Sequence, residues 1–234
     1  MGTTIDTHTL GGRLDRHELH KQFTAHEFFR YVDRGTVTVQ KAAVIVGQWW
    51  HPLHYFPTFL ARCIAVTPDI ESKSAIARIL AQEVGCGNPR RAHEVIYIDS
   101  MQHAGFAREQ ITLSTPFEET AALIATYERS SAARFPALGS IFATEVTDLL
   151  MVSAIGRAVS GATGVQRLEW VDIHVEQEPD HVEEATHVVP DSFSAADESL
   201  VLASAEEMWR SWIGFFDRLH ENISAASPRK AVGV

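Results

Sequence analysis

The feature that most constrains the fold is a long apolar segment, from about Ala137 to Val159, interrupted near its middle by the carboxylate of Glu145. A run of this length and composition predicts a helix at the centre of a helical protein. A carboxylate inside such a helix is costly unless a partner or a metal ion offsets the loss of its hydration. The segment therefore predicts both a core element and a buried polar site. The alternative, a carboxylate that simply reaches water, stays open at this point.

The rest of the chain also carries helical patterns, and no alternating strand pattern of useful length occurs. Turn and capping residues divide it into segments. The predicted helices cover approximately residues 14–32, 38–66, 68–84, 90–104, 116–131, 137–159, 165–188 and 194–219. Pro52 and Pro57 should kink or break the second of them. The sequence thus predicts an all-α protein, one compact bundle of seven to eight helices in a single domain over residues 1–234, with loose tails at 1–12 and 226–234.

Composition excludes several functional classes. The net charge is −10, which argues against a nucleic-acid or anionic-membrane surface. The first residues resemble no secretory signal, and no run approaches the length of a membrane span. Two cysteines, Cys63 and Cys86, are too few for a disulfide framework. We therefore expect a cytoplasmic protein that acts on a small molecule.

The second candidate for a polar site is the stretch EWVDIHVEQEPDHVEEA, residues 169–185. Within it His174, Glu178 and His181 stand at i, i+4 and i+7, which on a helix places them within an arc of roughly 60°. Two imidazoles and one carboxylate on a single stripe suit iron and its divalent neighbours. Pro179 makes this spacing only approximately helical. An acidic surface helix that carries two histidines would read the same way.

Two further ligand-type residues flank a glycine turn. Glu83 ends a largely apolar helical segment, Gly85-Cys86-Gly87 forms the turn, and His93 lies just beyond it. A tight turn can bring these two side chains together. Asp148, one turn after Glu145, could share the role of that residue or orient a ligand.

Other metal and nucleotide motifs are missing from the sequence. A ferritin-type site needs two Glu-x-x-His pairs, and only Glu178-x-x-His181 fits. The zinc-protease motif, the P-loop, the Rossmann fingerprint and the nucleophile elbow do not occur.

Taken in order, these residues resemble the haem-oxygenase-like di-iron oxidases of the wider TENA/PqqC superfamily. The opening stretch FFRYVDRGTVTVQKAAVIVGQWWHPLHYF is similar to the first two helices of that family. The resemblance implies six metal ligands, which are Glu83, His93, Glu145, His174, Glu178 and His181. Many relatives carry Asp at the position of Glu178, so the second iron could be held differently here. Some also use a glutamate from the second helix, where this chain offers His51 and His54.

The resemblance implies an enzyme that binds two iron ions, uses O₂ as co-substrate and draws on an external reductant where its reaction requires one. Relatives N-oxygenate amines, cleave C–C bonds oxidatively or desaturate, and homodimers are common among them. We expect an amino acid or amine as substrate, in a pocket lined by Trp49, Trp50, Tyr55 and Phe59. Helical aromatics are more often core residues, so core packing is the alternative interpretation of these four side chains. A metal-free binding protein and a hydrolase that uses the same ligands are the alternatives.

Overall fold

The computed structural model of the chain describes residues 9–35, 37–176 and 193–225, and within these ranges every regular element is a helix. The helices are α1 (Leu10–Asp15), α2 (Glu18–Thr24), α3 (Glu27–Asp33), α4 (Val39–Val66), α5 (Ile70–Glu83), α6 (His93–His103), α7 (Arg108–Thr112), α8 (Glu118–Ser130), α9 (Arg134–Thr163), α10 (169–176 within the described residues) and α11 (Ala195–Ser224). A 3₁₀ turn at Pro89–Arg91 precedes α6. The all-α prediction is confirmed, but seven to eight helices was too low a count.

The count differs mainly because the single helix predicted over residues 14–32 is three short ones. Histidine side chains make the breaks. Nδ1 of His17 accepts a hydrogen bond from the backbone N–H of Leu19, and Nδ1 of His26 accepts one from Phe28. Each imidazole thus caps a new helix, as a Ser or Asp would. The loose tail predicted over residues 1–12 is also wrong for its last residues, since Leu10 begins α1 and is buried. Residues 1–8 and the tail at 226–234 lie outside the described residues.

α4 runs unbroken for 28 residues through both Pro52 and Pro57, so the predicted break does not occur. A proline removes one backbone donor from a helix, and packing on several sides can offset that loss. α4 contacts α5, α7, α8 and α9. This long continuous helix forms one wall of the site described below.

Two helices begin later than the sequence suggests. Proline was expected at the first helical position in both cases. Asp69 rather than Thr67 caps α5, by accepting from the N–H of Ser72. α8 begins after Phe117, whose N–H donates to the side-chain oxygen of Gln48 on α4. A cap supplied by a distant residue leaves no local trace in the sequence.

The centre of the fold is the pairing of α9 with α11. At Gly139 an added Cβ would lie 2.2 Å from the carbonyl oxygen of Val201, so only glycine permits this approach. The hydroxyls of Ser140 and Ser204 lie 2.9 Å apart across the same contact, and Trp209 Nε1 donates to the carbonyl of Ala143. α9 is long and apolar enough to cross a membrane, but most of its apolar stretch is buried against other helices of the protein. It is the core helix that the sequence predicts, and it carries Glu145 into the interior.

Candidate metal centre

The glycine turn between α5 and α6 brings Glu83 and His93 together. Gly85 and Gly87 have positive φ angles of +83° and +86°, which reverse the chain direction within a few residues. Nδ1 of His93 consequently lies 3.0 Å from Oε1 of Glu83. Gly85 is indispensable sterically, because a Cβ there would lie 2.2 Å from the carbonyl oxygen of Asn88.

α10 supplies His174 in a fixed orientation. The helix starts only at residue 169, after Gly164 ends α9 in a left-handed conformation, so the start predicted near 165 was early. Ser100 Oγ accepts from the N–H of Trp170 at this start. Nδ1 of His174 lies 2.6 Å from the carbonyl oxygen of Trp170, a contact that requires the proton on Nδ1. In the neutral imidazole this leaves Nε2 without a proton, which is the form that binds a metal ion.

The three side chains form a compact and buried group. One ligand atom from each of Glu83, His93 and His174 lies within 4.8 Å of the other two. These residues keep only 6%, 1% and 4% of their exposure. The two imidazole rings have centroids 4.7 Å apart. Two nitrogens and one carboxylate oxygen form a donor set that suits iron, so the residues present fit a metal ion.

Two acidic residues of α9 join this group. Glu145 is 2% exposed and lines the same cavity as Glu83 and His174. Asp148 places Oδ2 3.8 Å from Nε2 of His174 and lines the cavity as well. Burial raises the pKa of Asp148 to about 7, the charge of Glu83 acts in the same direction, and His93 opposes both. A cation among these carboxylates would relieve their mutual repulsion.

The cavity beside the group has a volume of about 30 Å³, enough for one or two water molecules or small ions. Its far wall is largely apolar and aromatic. The lining residues are Trp49, Pro52, Leu53, Phe56, Glu83, Tyr127, Thr144, Glu145, Asp148, His174 and Trp212. The hydroxyl of Tyr127 lies 3.1 Å from that of Thr144, and burial raises the pKa of this phenol.

Of the four residues expected in the pocket, only Trp49 lines this cavity. Trp50 stacks on His54, and Phe59 packs against Tyr127 from outside the cavity wall. The ring of Tyr55, which is half-buried, lies farther from that of Tyr127 than the ring of Phe59 does. His51 and His54 are engaged elsewhere, with the carbonyl of Ser114 and the carboxylate of Glu94.

The structure therefore brings together four of the six expected ligands: Glu83, Glu145 and His174 line one cavity, and His93 lies against Glu83 and His174. Glu178 and His181 lie outside the described residues, so their part in the site stays a prediction. Sequence reasoning left Asp148 out of the ligand set and did not find Tyr127 or Trp212. The i, i+3 spacing of Glu145 and Asp148 on one apolar helix was the available signal for the first of these.

Solved structures share this fold over nearly the whole chain. A CADD-like protein of unknown function from Nostoc punctiforme superposes with a TM-score of 0.76 at 13% identity, covering 92% of this chain and 96% of that one. A domain of unknown function with a haem-oxygenase-like fold from Shewanella denitrificans has a TM-score of 0.73 at 19% identity, with 95% of both chains covered. A TenA homologue from Pseudomonas syringae has a TM-score of 0.63 at 12% identity and covers 91% of this chain and 88% of its own.

Sequence comparison gives a narrower result. No curated protein is significantly similar to this chain in sequence. The family model described as iron-containing redox enzyme matches residues 44–213, a range that includes Glu83, His93, Glu145 and His174. With the fold and the buried ligand group in place, this chain belongs to the family of iron-containing redox enzymes with the haem-oxygenase-like fold.

Proposed function

We propose that the protein is an O₂-activating non-haem di-iron oxidase or oxygenase that acts on an amino acid or amine. The observation that carries the proposal is the buried group of Glu83, His93 and His174, whose ligand atoms lie within 4.8 Å of one another in a chain of an iron-containing redox family. N-oxygenation or oxidative C–C cleavage in a biosynthetic pathway is the reaction class we favour. We also propose a cytoplasmic location, which the unpaired cysteines Cys63 and Cys86 support.

The roles of the residues follow from their surroundings. Glu83, His93, Glu145 and His174 would hold the metal, with Glu178 and His181 proposed to complete the set. Bound iron would supply the electrons that reduce O₂, with an external reductant where the reaction requires more. Trp170 keeps His174 in the tautomer that a metal needs, through its carbonyl oxygen. Asp148 can hold a proton near neutral pH beside that imidazole, because its pKa is raised to about 7.

The cavity lining supports an amine-bearing substrate. Among the described residues that line it, three are carboxylic acids and none is Lys or Arg. With iron bound, Glu83 and Glu145 would be engaged as metal ligands, and the lining offers no fixed cation that would repel an amine. The apolar wall of Pro52, Leu53 and Phe56 would exclude water from the reacting group.

The test is an anaerobic titration of the metal-free protein with Fe(II), followed by rapid mixing with O₂ and optical recording. We expect about two irons per chain and a transient visible absorption. His174→Ala and Glu145→Ala should abolish both. His103→Ala is the matched control, because His103 is an exposed histidine at the far end of the helix that carries His93.

The possible results separate the alternatives. Uptake of one iron with an O₂ response would reduce the proposal to a mononuclear enzyme. Iron uptake without an O₂ response would favour a hydrolase on the same ligands. No metal uptake at all would leave a binding protein and contradict the proposal.

A further inference from the structure

Trp49 presents an unsatisfied hydrogen-bond donor at the wall of the metal-side cavity. Its side chain lines the cavity and is 3% exposed. Its indole Nε1 is buried and has no acceptor among the described residues. A buried N–H without a partner costs about 1–3 kcal/mol, so native proteins usually satisfy such groups with water or a ligand.

Three other buried tryptophans provide the comparison for Trp49. Trp209 Nε1 is satisfied, since it donates to the carbonyl oxygen of Ala143 at 3.1 Å. Trp212 also lines the cavity, and its Nε1 likewise has no acceptor within hydrogen-bond distance among the described residues, although its N–H moderates the rise in the pKa of Tyr127. Trp170 has an unsatisfied Nε1, yet it is not among the described residues that line the cavity. Of the two tryptophans in the wall, Trp49 is therefore the one whose donor acts on no other described group.

We propose that the indole N–H of Trp49 donates a hydrogen bond to an acceptor oxygen of the substrate and so positions the substrate against the metal ligands. The inference rests on the proposed function for the identity of the reacting site, and it adds a substrate-binding residue to it. An indole is a donor only, so it selects an oxygen acceptor and rejects an ammonium group.

The donor also complements the other polar groups of the lining. These include three carboxylic acids, of which Glu83 and Glu145 are proposed to hold the metal. Trp49 packs within an aromatic group that includes Trp170 at 6.0 Å and Trp212 at 5.5 Å, which restricts the direction of its ring. A carbonyl, carboxamide or carboxylate oxygen of the substrate would then satisfy the indole. Because a restricted donor loses little entropy on binding, this hydrogen bond would help to orient the substrate.

The experiment follows the indole ¹H–¹⁵N resonances of the full-length protein, loaded with diamagnetic zinc and also metal-free, during additions of three small probes. Formate is the anionic acceptor, formamide the neutral acceptor, and methylammonium the donor. Trp49→Phe identifies the Trp49 resonance by its loss. We expect formate or formamide to move this resonance downfield, while those of Trp209 and Trp170 stay in place as internal controls. A shift with formamide indicates a carbonyl-type acceptor, and a shift with formate alone indicates a carboxylate.

The inference would be overturned if the Trp49 resonance did not move with formate or formamide, or if it moved equally with methylammonium. The indole N–H would then be a donor satisfied by water only. The second measurement is the affinity for the responding probe, read from other cavity resonances. Trp49→Phe should weaken it about tenfold, the value of one hydrogen bond, in a protein whose circular dichroism is unchanged. The readout needs neither iron nor O₂. A failed iron titration with a responding Trp49 would sink the proposed function alone, and the reverse result would sink this inference alone.

Discussion

Two regions of the molecule pair histidine with a carboxylate at nearly the same distance, but only one of them has the surroundings of a candidate metal site. In the N-terminal helices His17 Nε2 lies 3.1 Å from Glu206, and His26 Nε2 lies 3.1 Å from Asp217. At the α5–α6 corner His93 Nδ1 lies 3.0 Å from Glu83. The separation of the two atoms therefore carries no information about function.

Burial and the second ring nitrogen make the difference. The side chains of Glu206 and Asp217 keep 31% and 62% of their exposure, whereas that of Glu83 keeps 7%. His17 and His26 also use Nδ1 to cap helices, so both nitrogens of each ring are occupied by the protein. At the corner a second imidazole, that of His174, lies within reach of the same carboxylate. A histidine–carboxylate pair thus indicates a metal site when it is buried and when a third ligand faces it.

The largest expected effect that separates the two regions is on iron affinity. His93→Ala removes one of the three clustered ligands, so we expect Fe(II) to bind at least about 100-fold more weakly in competition with a chelator, more than for the loss of a supporting residue. His17→Ala should leave iron affinity unchanged and lower the free energy of unfolding by about 1 kcal/mol, through the lost cap of α2. Equal iron affinity in the two variants would show that the corner is only another structural ion pair.

A smaller but still large effect should come from the turn that builds the corner. In Gly85→Ala the new methyl group would overlap the carbonyl of Asn88, in addition to the strain of the positive φ angle. We expect a loss of about 3 kcal/mol in urea unfolding, together with weaker iron binding. Gly87→Ala is the control, because its φ is also positive but nothing lies within 4 Å of the added carbon. It should cost about 1 kcal/mol and keep the metal affinity. Similar losses in both variants would mean that φ strain alone governs this turn.

The sequence predicted the corner well and the cavity wall poorly, for a physical reason. Glu83 and His93 are joined by a short glycine turn, so their proximity follows from local geometry. Local geometry does not show which face of α4 meets the cavity, because α4 is apolar on most of its circumference. Periodicity therefore could not separate Trp49, which lines the cavity, from Trp50 and Phe59, which do not.

The breaks between the N-terminal helices were missed for the opposite reason, since the capping signal was local but came from an unusual residue type. His17 and His26 act as helix caps, a role that Ser, Thr, Asp and Asn normally fill. The Nδ1 atom of each ring can accept this hydrogen bond only while it carries no proton. The carboxylates that orient them come from α11, about 190 residues away in the chain. Long-range contacts of this kind have no counterpart in the sequence around the cap.

The capping role of His26 predicts a modest dependence of stability on pH. Burial lowers the pKa of His26 below its ordinary value of 6.5, and the nearby charges of Asp217 and Glu27 only partly counter this. At a pH between the lowered pKa and 6.5, the unfolded chain binds a proton at this residue that the folded protein excludes. The contribution of His26 to the free energy of unfolding therefore falls as the pH drops below about 6.5, and the fall stops once the folded protein is protonated too, whereas the raised pKa of Asp148 contributes in the opposite direction.

His26→Asn keeps a capping side chain but removes the titration, so on going from pH 7.5 to pH 5 its free energy of unfolding should rise relative to that of the wild type. Urea unfolding of the metal-free protein at both pH values measures the difference. His51, whose pKa is also lowered by burial, contributes to the same trend and should leave the variant with a residual slope. The matched control is Glu27→Gln, which alters a neighbouring charge and leaves the imidazole in place. If His26→Asn kept the full pH dependence, the cap of α3 would not be the titrating element. Acid sensitivity of the fold would then have to arise at His51, whose pKa is lowered by burial, because the raised pKa of Asp148 stabilises the folded protein as the pH falls.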